Sequence, residues 1–403
     1  MRIFARCVAA AATALAFVAF GVGATSAAPP PDSCDGQWTA PSPLQFVQEN
    51  GYYVTLYLNQ QGTKITGKAG YQIGRKVTTG NVIGGINGNR FFARIYWTAS
   101  GGRGIGVYIG EIGPWAWIFQ GRTYDQQATP AVIKSFNSSK ATLFYCAPVP
   151  GKAEVVRTAV PYDEYQVEFN RFTKAGYRPV WIDGFRSVGK TWINAIFRPD
   201  DGQTPWVARH NLTGTQYQAE FEKWTTAGYR PLQVESYPVA DGIRYAAIFV
   251  KTAGPPFLAY HGRSEADHQS RFNQLTTQGW VPVNISVTPW GGARYYTALY
   301  EKKDVGSFAA WQVLAASQYQ AQINQQAAAG RKLVYLNAYN DPSGSRFTAI
   351  WYSSAAVPYA RHGIDPLDYF ALAKAQRARG LLTRAVTGYT EGTNLRYAGF
   401  WSS

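Results

Sequence analysis

Histidine is scarce in the sequence, with four copies, and three of them keep one register. His210, His261 and His362 close the segments WVARH, FLAYH and YARH, and Gln312 holds the same place in FAAWQ. An imidazole suits general acid–base work or a metal near neutral pH. Three copies at one repeat position place one imidazole per unit, which does not gather them around one ion or substrate. Each stands three residues before a good helix N-cap: Thr213, Ser264 and Asp365. Two readings stay open, a hydrogen bond to the chain entering that helix and a ligand contact repeated along an array. His268 takes the helix-face place of Tyr165 and Tyr217 and reads as a core substitute.

No other catalytic or metal-binding pattern emerges, so the sequence nominates no catalytic residue, metal or cofactor. There is no GxSxG elbow, no HExxH and no phosphate-binding GxxxxGK[ST] loop. A glycosidase needs two carboxyl groups held some 5–9 Å apart, and the scattered acids offer no pair. Asp163 and Glu164 open a helix, where negative charge suits the dipole.

Stacking and disulfide chemistry are better supplied. Aromatic residues make up 15% of the chain. Trp290 sits at an expected hairpin tip, free to stack on a sugar ring, whereas Trp192 and Trp351 occupy a strand position shared by all units and read as core. Trp97, Trp115 and Trp117 either line the mouth of an N-terminal barrel or fill its interior. Cys34 and Cys146 remain once the first 28 residues are removed, and together they make one disulfide in an oxidising compartment. Closing so long a loop stabilises by up to roughly 4–5 kcal/mol.

Those first 28 residues read as a signal peptide: Arg2 and Arg6, an apolar run from Val8 to Val22, and small residues Thr25 to Ala28. Secretion or export to a periplasm follows. No later run is long and apolar enough for a transmembrane segment. Lys+Arg 39 against Asp+Glu 24 gives +15, and loss of Arg2 and Arg6 leaves +13. Such a surface favours anionic partners, with nucleic acid set aside as a natural partner for an exported chain.

Residues 29–147 read as all β. Val54, Leu56 and Leu58 alternate with polar neighbours, as do Phe91, Ala93, Ile95 and Trp97, and Gly-rich turns separate the runs. A small barrel or sandwich is expected. Its strand rhythm is loosely similar to that of avidin- and lipocalin-like barrels.

Residues 148–161 form a linker and leading strand, and residues 162–403 repeat five times. The glycines in AGYRP, AGYRP, QGWVP, AGRKL and RGLLT are spaced by 52, 51, 51 and 50 residues, from Gly176 to Gly380. An aromatic-x-Ala-x-aromatic strand follows each at the same intervals, with Gly399 in place of Ala in the last. Each unit reads as an amphipathic helix stopped by glycine and then a hairpin, an αββ order with the His-containing tail last. The fifth copy lacks a tail, so the stretch Val155–Thr158 is expected to fill its slot and close five units into a compact ring or barrel-like array. The whole is α+β.

The segment FEKWTTAGYRPLQVESYPVADGIRYAAIFVKTAGPPFLAYHG carries a family resemblance. Residues 160–403 resemble the bacterial tandem repeat domain family, whose repeats also form the N-terminal domain of fungal polyglycine hydrolases. The resemblance implies a compact repeat array, often joined to a catalytic module, with no ligand or catalytic residue assigned to the repeats. The partner module of those hydrolases resembles serine β-lactamases, which use Ser-x-x-Lys. Ser187 and Lys190 have that spacing, but in an expected hairpin turn and with no Lys-Thr-Gly after them.

The expected function is a secreted, non-catalytic binding protein for an extracellular glycan, peptide or anionic envelope surface. Binding is expected at the variable tips around Lys190, Asp241, Gly291, Asp341 and Glu391, with affinity gained from several weak sites. A secreted peptidase or esterase, or an accessory module of one, is the alternative. A small-ligand carrier built on the N-terminal barrel is a third. The sequence leaves the oligomeric state open. Asn137, Asn211 and Asn284 lie in glycosylation sequons.

Overall fold

A computed structural model describes residues 33–34, 36–73, 76–98, 104–112, 119–138, 144–147, 151–353 and 356–403. The expected signal peptide and the candidate residues Trp115 and Trp117 lie outside these.

The N-terminal region is a closed eight-stranded antiparallel barrel, which decides between barrel and sandwich. Its strands are Leu44–Gln48, Tyr53–Gln61, Lys64–Ile73, Lys76–Asn87, Arg90–Trp97, Ile105–Ile112, Phe119–Asp125 and Lys134–Ser138, and the last pairs with the first. The period of two sends Leu44, Phe46, Val54, Leu56, Ile65 and Ile95 into a fully buried interior. Phe46, Tyr108 and Phe136 pack against one another there, ring centroids 4.7–5.9 Å apart. Cys34 and Cys146 form the disulfide and bracket the barrel. Cys34 is also paired in a short strand with Arg157, so the staple reaches the repeats. Arg157 lies over the Trp38 ring and forms a buried ion pair with Glu168 at 3.0 Å.

The repeats run leading strand, helix, inner strand, outer strand. The leading strands are Val155–Pro161, Trp206–Leu212, Phe257–Ser264, Phe308–Leu314 and Tyr359–Ile364. The helices are α1 Tyr165–Lys174, α2 Gly214–Thr226, α3 Glu265–Thr277, α4 Ala316–Ala328 and α5 Pro366–Ala378. The inner strands are Tyr177–Ser187, Arg230–Val239, Val281–Trp290, Lys332–Asp341 and Leu382–Glu391. Each hairpin returns through an outer strand, and the sheet order is leading, outer, inner. The expected glycine stops hold: Gly176, Gly228, Gly279, Gly330 and Gly380 have φ between 74° and 83°.

Two expectations are corrected here. The His-containing tail opens the following unit: Trp206–Leu212 pairs with the outer strand after α2. The unit is therefore βαββ, and Val155–Pro161 is unit one's own first strand, paired with Lys190–Pro199. The fifth unit has no empty slot, because its leading strand Tyr359–Ile364 pairs with Asn394–Ser402.

What joins the units lies along the inner strands. Each is the edge of its sheet, so one row of backbone groups lacks a ladder partner. A side chain from the next unit supplies it. The amide of Gly184 is bonded by the Glu235 carboxyl. Ser236 N donates to Ser286 Oγ at 3.1 Å, Val287 N to Asn337 Oδ1 at 3.4 Å, and Ala338 N to Thr387 Oγ1 at 2.9 Å. Gly388 N donates to Asp183 Oδ2 at 3.2 Å, so unit five returns to unit one. Asp183, Glu235, Ser286, Asn337 and Thr387 hold one repeat position and are all buried.

Asp183 takes more than its share. Its carboxylate also accepts from Asn194 Nδ2 at 2.8 Å, Thr387 Oγ1 at 2.7 Å and Asn337 Nδ2 at 3.2 Å. Burial pushes its pKa up to about 7 against the pull of these donors. Burial, and then the neighbouring Asp183 charge, push Glu235 well above the carboxylate range.

The three register-sharing histidines hold the outer seams. His210 Nε2 meets Gln166 Oε1 of α1 at 2.8 Å, its ring edge-on to Tyr165 at 4.8 Å. His362 repeats this with Gln320 and Tyr319 of α4, and His261 packs on Tyr217 of α2. Each belongs to one unit's leading strand and clasps the preceding unit's helix. The hydrogen bond expected toward the following helix is replaced by this backward one. Burial holds His210 and His268 down to about 4 and lowers His261 and His362. His268 is core, as expected, stacked on Tyr296 at 4.2 Å.

Two outcomes are expected. Asp183→Asn turns an amide group toward four donors and lowers unfolding stability by about 3 kcal/mol or more at pH 7, whereas Glu235→Gln stays within about 1 kcal/mol, as urea midpoints would show. Burial holds the folded His210 down to about 4, so its contribution is whole above about 6.5 and is lost as pH falls through about 4. His210→Gln, the residue type unit four uses at Gln312, therefore loses about 2–3 kcal/mol less than the parent between pH 6.5 and 4.

Candidate binding site at the hairpin tips

Above the hydrogen-bond cycle the hairpin tips enclose a cavity of about 690 Å³. The residue after each cycle member faces it in four units: Gly184, Val287, Ala338 and Gly388. Two of these have no room for a side chain. A Cβ on Gly184 would stand 2.3 Å from the Tyr237 ring, and one on Gly388 would stand 2.6 Å from the Phe185 ring. Asn337 reaches the floor while its amide nitrogen holds Asp183. One wall is clamped by a reciprocal pair, Asn340 Nδ2 to Thr390 O and Thr390 N to Asn340 Oδ1, both 2.7 Å.

The rim is apolar. Val188, Pro289, Trp290 and Pro342 line it, while unit two contributes only Pro238. Val188 and Gly189 form a two-residue turn at φ 52° and 73° between the paired Ser187 and Lys190. Unit three builds its turn from Gly291 and Gly292, at φ 58° and 80°. A β-branched residue in this left-handed region is strained, and glycine in the sister unit shows the relaxed solution.

Arg186 is the one charged residue lining this cavity, and no Asp, Glu, His or Lys does. The Ser187 hydroxyl is buried there without a hydrogen-bond partner. Lys190 instead lines a second cavity of about 660 Å³ with Asp163, Glu164 and Asp241. A nucleophile at Ser187 would thus find no base among this cavity's lining residues.

Of the other candidates, His210, His261 and His362 lie at the seams and line no part of the axial cavity. Trp97 is half-buried in the barrel, edge-on to Tyr71 at 4.7 Å and packed against Gly80 and Gly106. Among the expected tip charges, Asp241 is held by Arg244 at 2.8 Å, and Asp341 by Arg294 at 3.0 Å. Glu391 faces Arg396 at 3.4 Å. Asn284 is buried with its Oδ1 on Val234 N at 2.7 Å, which leaves no room for a glycan at that sequon. Among the described residues, no group of three or more His, Cys, Asp or Glu is set to hold a metal, and no helix is long and apolar enough to cross a membrane.

The sequence pointed to Trp290 but not to the floor beneath it. Its signal was a polar residue seven positions after each helix-stopping glycine, followed by a small residue in four of the five units.

A family model described as polyglycine hydrolase-like, structural repeat matches residues 151–199, 203–252, 254–303, 306–354 and 357–403. These five matches begin at each unit's leading strand, in agreement with the strand pairing. With more than half of its length matched in five consecutive copies, the chain belongs to the polyglycine hydrolase-like structural repeat family.

Proposed function

We propose that the chain is an exported binding protein whose five units close into one ring and serve a single axial pocket. Its ligand is a neutral sugar at the end, or along the edge, of an extracellular glycan. The observation that carries this reading is the cavity itself. Residues from all five units line it, its rim carries Trp290, and its walls offer amides and hydroxyls without a carboxylate, while the lining cation Arg186 turns back to the Gly189 carbonyl of its own hairpin. An indole takes the apolar face of a pyranose, and neutral amides pair with its hydroxyls. This replaces the expected avidity of several equal sites with one site per chain. The apolar run of residues 8–22 and the Cys34–Cys146 bond support export. The side chains filling the barrel interior weigh against a carrier role there.

Calorimetry against a panel of neutral and acidic oligosaccharides tests the reading. Saturable binding to a neutral member is expected, and Trp290→Ala weakens it about tenfold or more. Val188→Gly relaxes the turn, raises stability by about 1 kcal/mol and still weakens binding, because the rim loses an apolar contact. Failure of every neutral sugar to bind, or binding that ignores Trp290, overturns the proposal.

A further inference from the structure

The outer surface of the barrel departs from the usual polar exterior. Four strands, Lys64–Ile73, Lys76–Asn87, Arg90–Trp97 and Ile105–Ile112, present three cross-strand rows outward. One row runs Lys64, Gly85, Phe92, Ile109 and on to Arg122 of the next strand. The next runs Thr66, Ile83, Arg94 and Tyr124, with Val107 covered between the last two. The third runs Lys68, Asn81, Tyr96 and Ile105. Ile83 is 52% exposed, Ile109 48%, Tyr96 41% and Phe92 38%. Contiguous apolar surface of this kind marks an interaction face.

Charge selects the partner. These rows hold Lys64, Lys68, Arg94 and Arg122 and no acid. The four cations form no ion pair among the described residues: Lys68 donates to Asn81 Oδ1, and Arg94 lies over the Phe92 ring at 5.4 Å. The repeat hairpins differ, since there Arg244, Arg294, Arg346 and Arg396 are all matched to carboxylates. A face with unmatched cations around exposed aliphatic side chains fits a surface that is both anionic and oily. Ile83 and Ile109 offer nothing to the hydroxyls of a polysaccharide, which favours lipid over a charged glycan.

We propose that this barrel face docks on an anionic lipid bilayer, with Lys64, Lys68, Arg94 and Arg122 at the phosphate level and Phe92, Tyr96, Ile83 and Ile109 among the upper acyl carbons. The site is separate from the axial pocket and does not depend on it.

Vesicle co-sedimentation tests this with the chain from residue 29 onward, so that the apolar leader cannot bind lipid itself. Binding is expected to phosphatidylglycerol–phosphatidylcholine vesicles, not to phosphatidylcholine alone, and it weakens as salt rises. Arg94→Glu with Arg122→Glu lowers it at least about tenfold. Ile83→Ser with Ile109→Ser lowers it by a similar factor even at low salt. All four positions are exposed, and unchanged thermal unfolding confirms that both variants fold. No vesicle binding, or binding that both variants retain, overturns the proposal. So does binding that heparin abolishes while the isoleucine variant stays at parent strength, since the face would then be a polyanion site.

Discussion

Five edge strands meet at one axis, and their inward backbone groups have no ladder to join. An unpaired buried amide costs about as much as a lost hydrogen bond, so the fold needs an acceptor at each strand. The chain places one polar side chain per unit at the same position and aims it at the preceding unit's amide. The identities differ, Asp183, Glu235, Ser286, Asn337 and Thr387, because the requirement is an acceptor and not a particular group. The last of these bonds ties unit five to unit one, so each interface depends on a neighbour around the whole cycle.

The cavity follows from the same constraint. A residue next to the cycle points toward the tips, and bulk there would collide with neighbouring aromatic rings, as Gly184 and Gly388 show. Small residues leave space above the axis, and the turns wall it in. No inserted loop is needed, and the site inherits the rigidity of five hairpins. One departure from relaxed geometry falls at its rim, where Val188 holds a conformation that unit three assigns to glycine. Strain kept at the mouth of a cavity, where a relaxed alternative exists in the same chain, accords with a contact role for that side chain.

Net charge acquires a location in the folded chain. At the repeat hairpins Arg244, Arg294, Arg346 and Arg396 each pair with a carboxylate. On the barrel the cations of the outer rows stand unmatched beside exposed aliphatic residues. Cations paired at the hairpins and cations unpaired on the barrel face thus make two different surfaces. The junction between them is held by Cys34 pairing into unit one's sheet and by the buried Arg157–Glu168 bridge.

Local pattern was sufficient for the number of units, their register, the helix stops, the alternating barrel strands and the pairing of the two cysteines. Each rests on periodicity, on glycine's access to positive φ or on there being a single possible partner. It also placed Trp290 at a tip and His268 in a core. The assignment of each His-containing strand to the following unit needed the folded sheet, because pairing to a strand about forty residues on has no local signature. His210 clasping α1, the cycle through Asp183 and Gly388, and the cavity above it join residues roughly fifty to two hundred positions apart. A polar residue in a mixed strand carries no mark of its own until five of them converge. Closure of the chain brings them together, and that depends on packing among all the units, which no single repeat encodes.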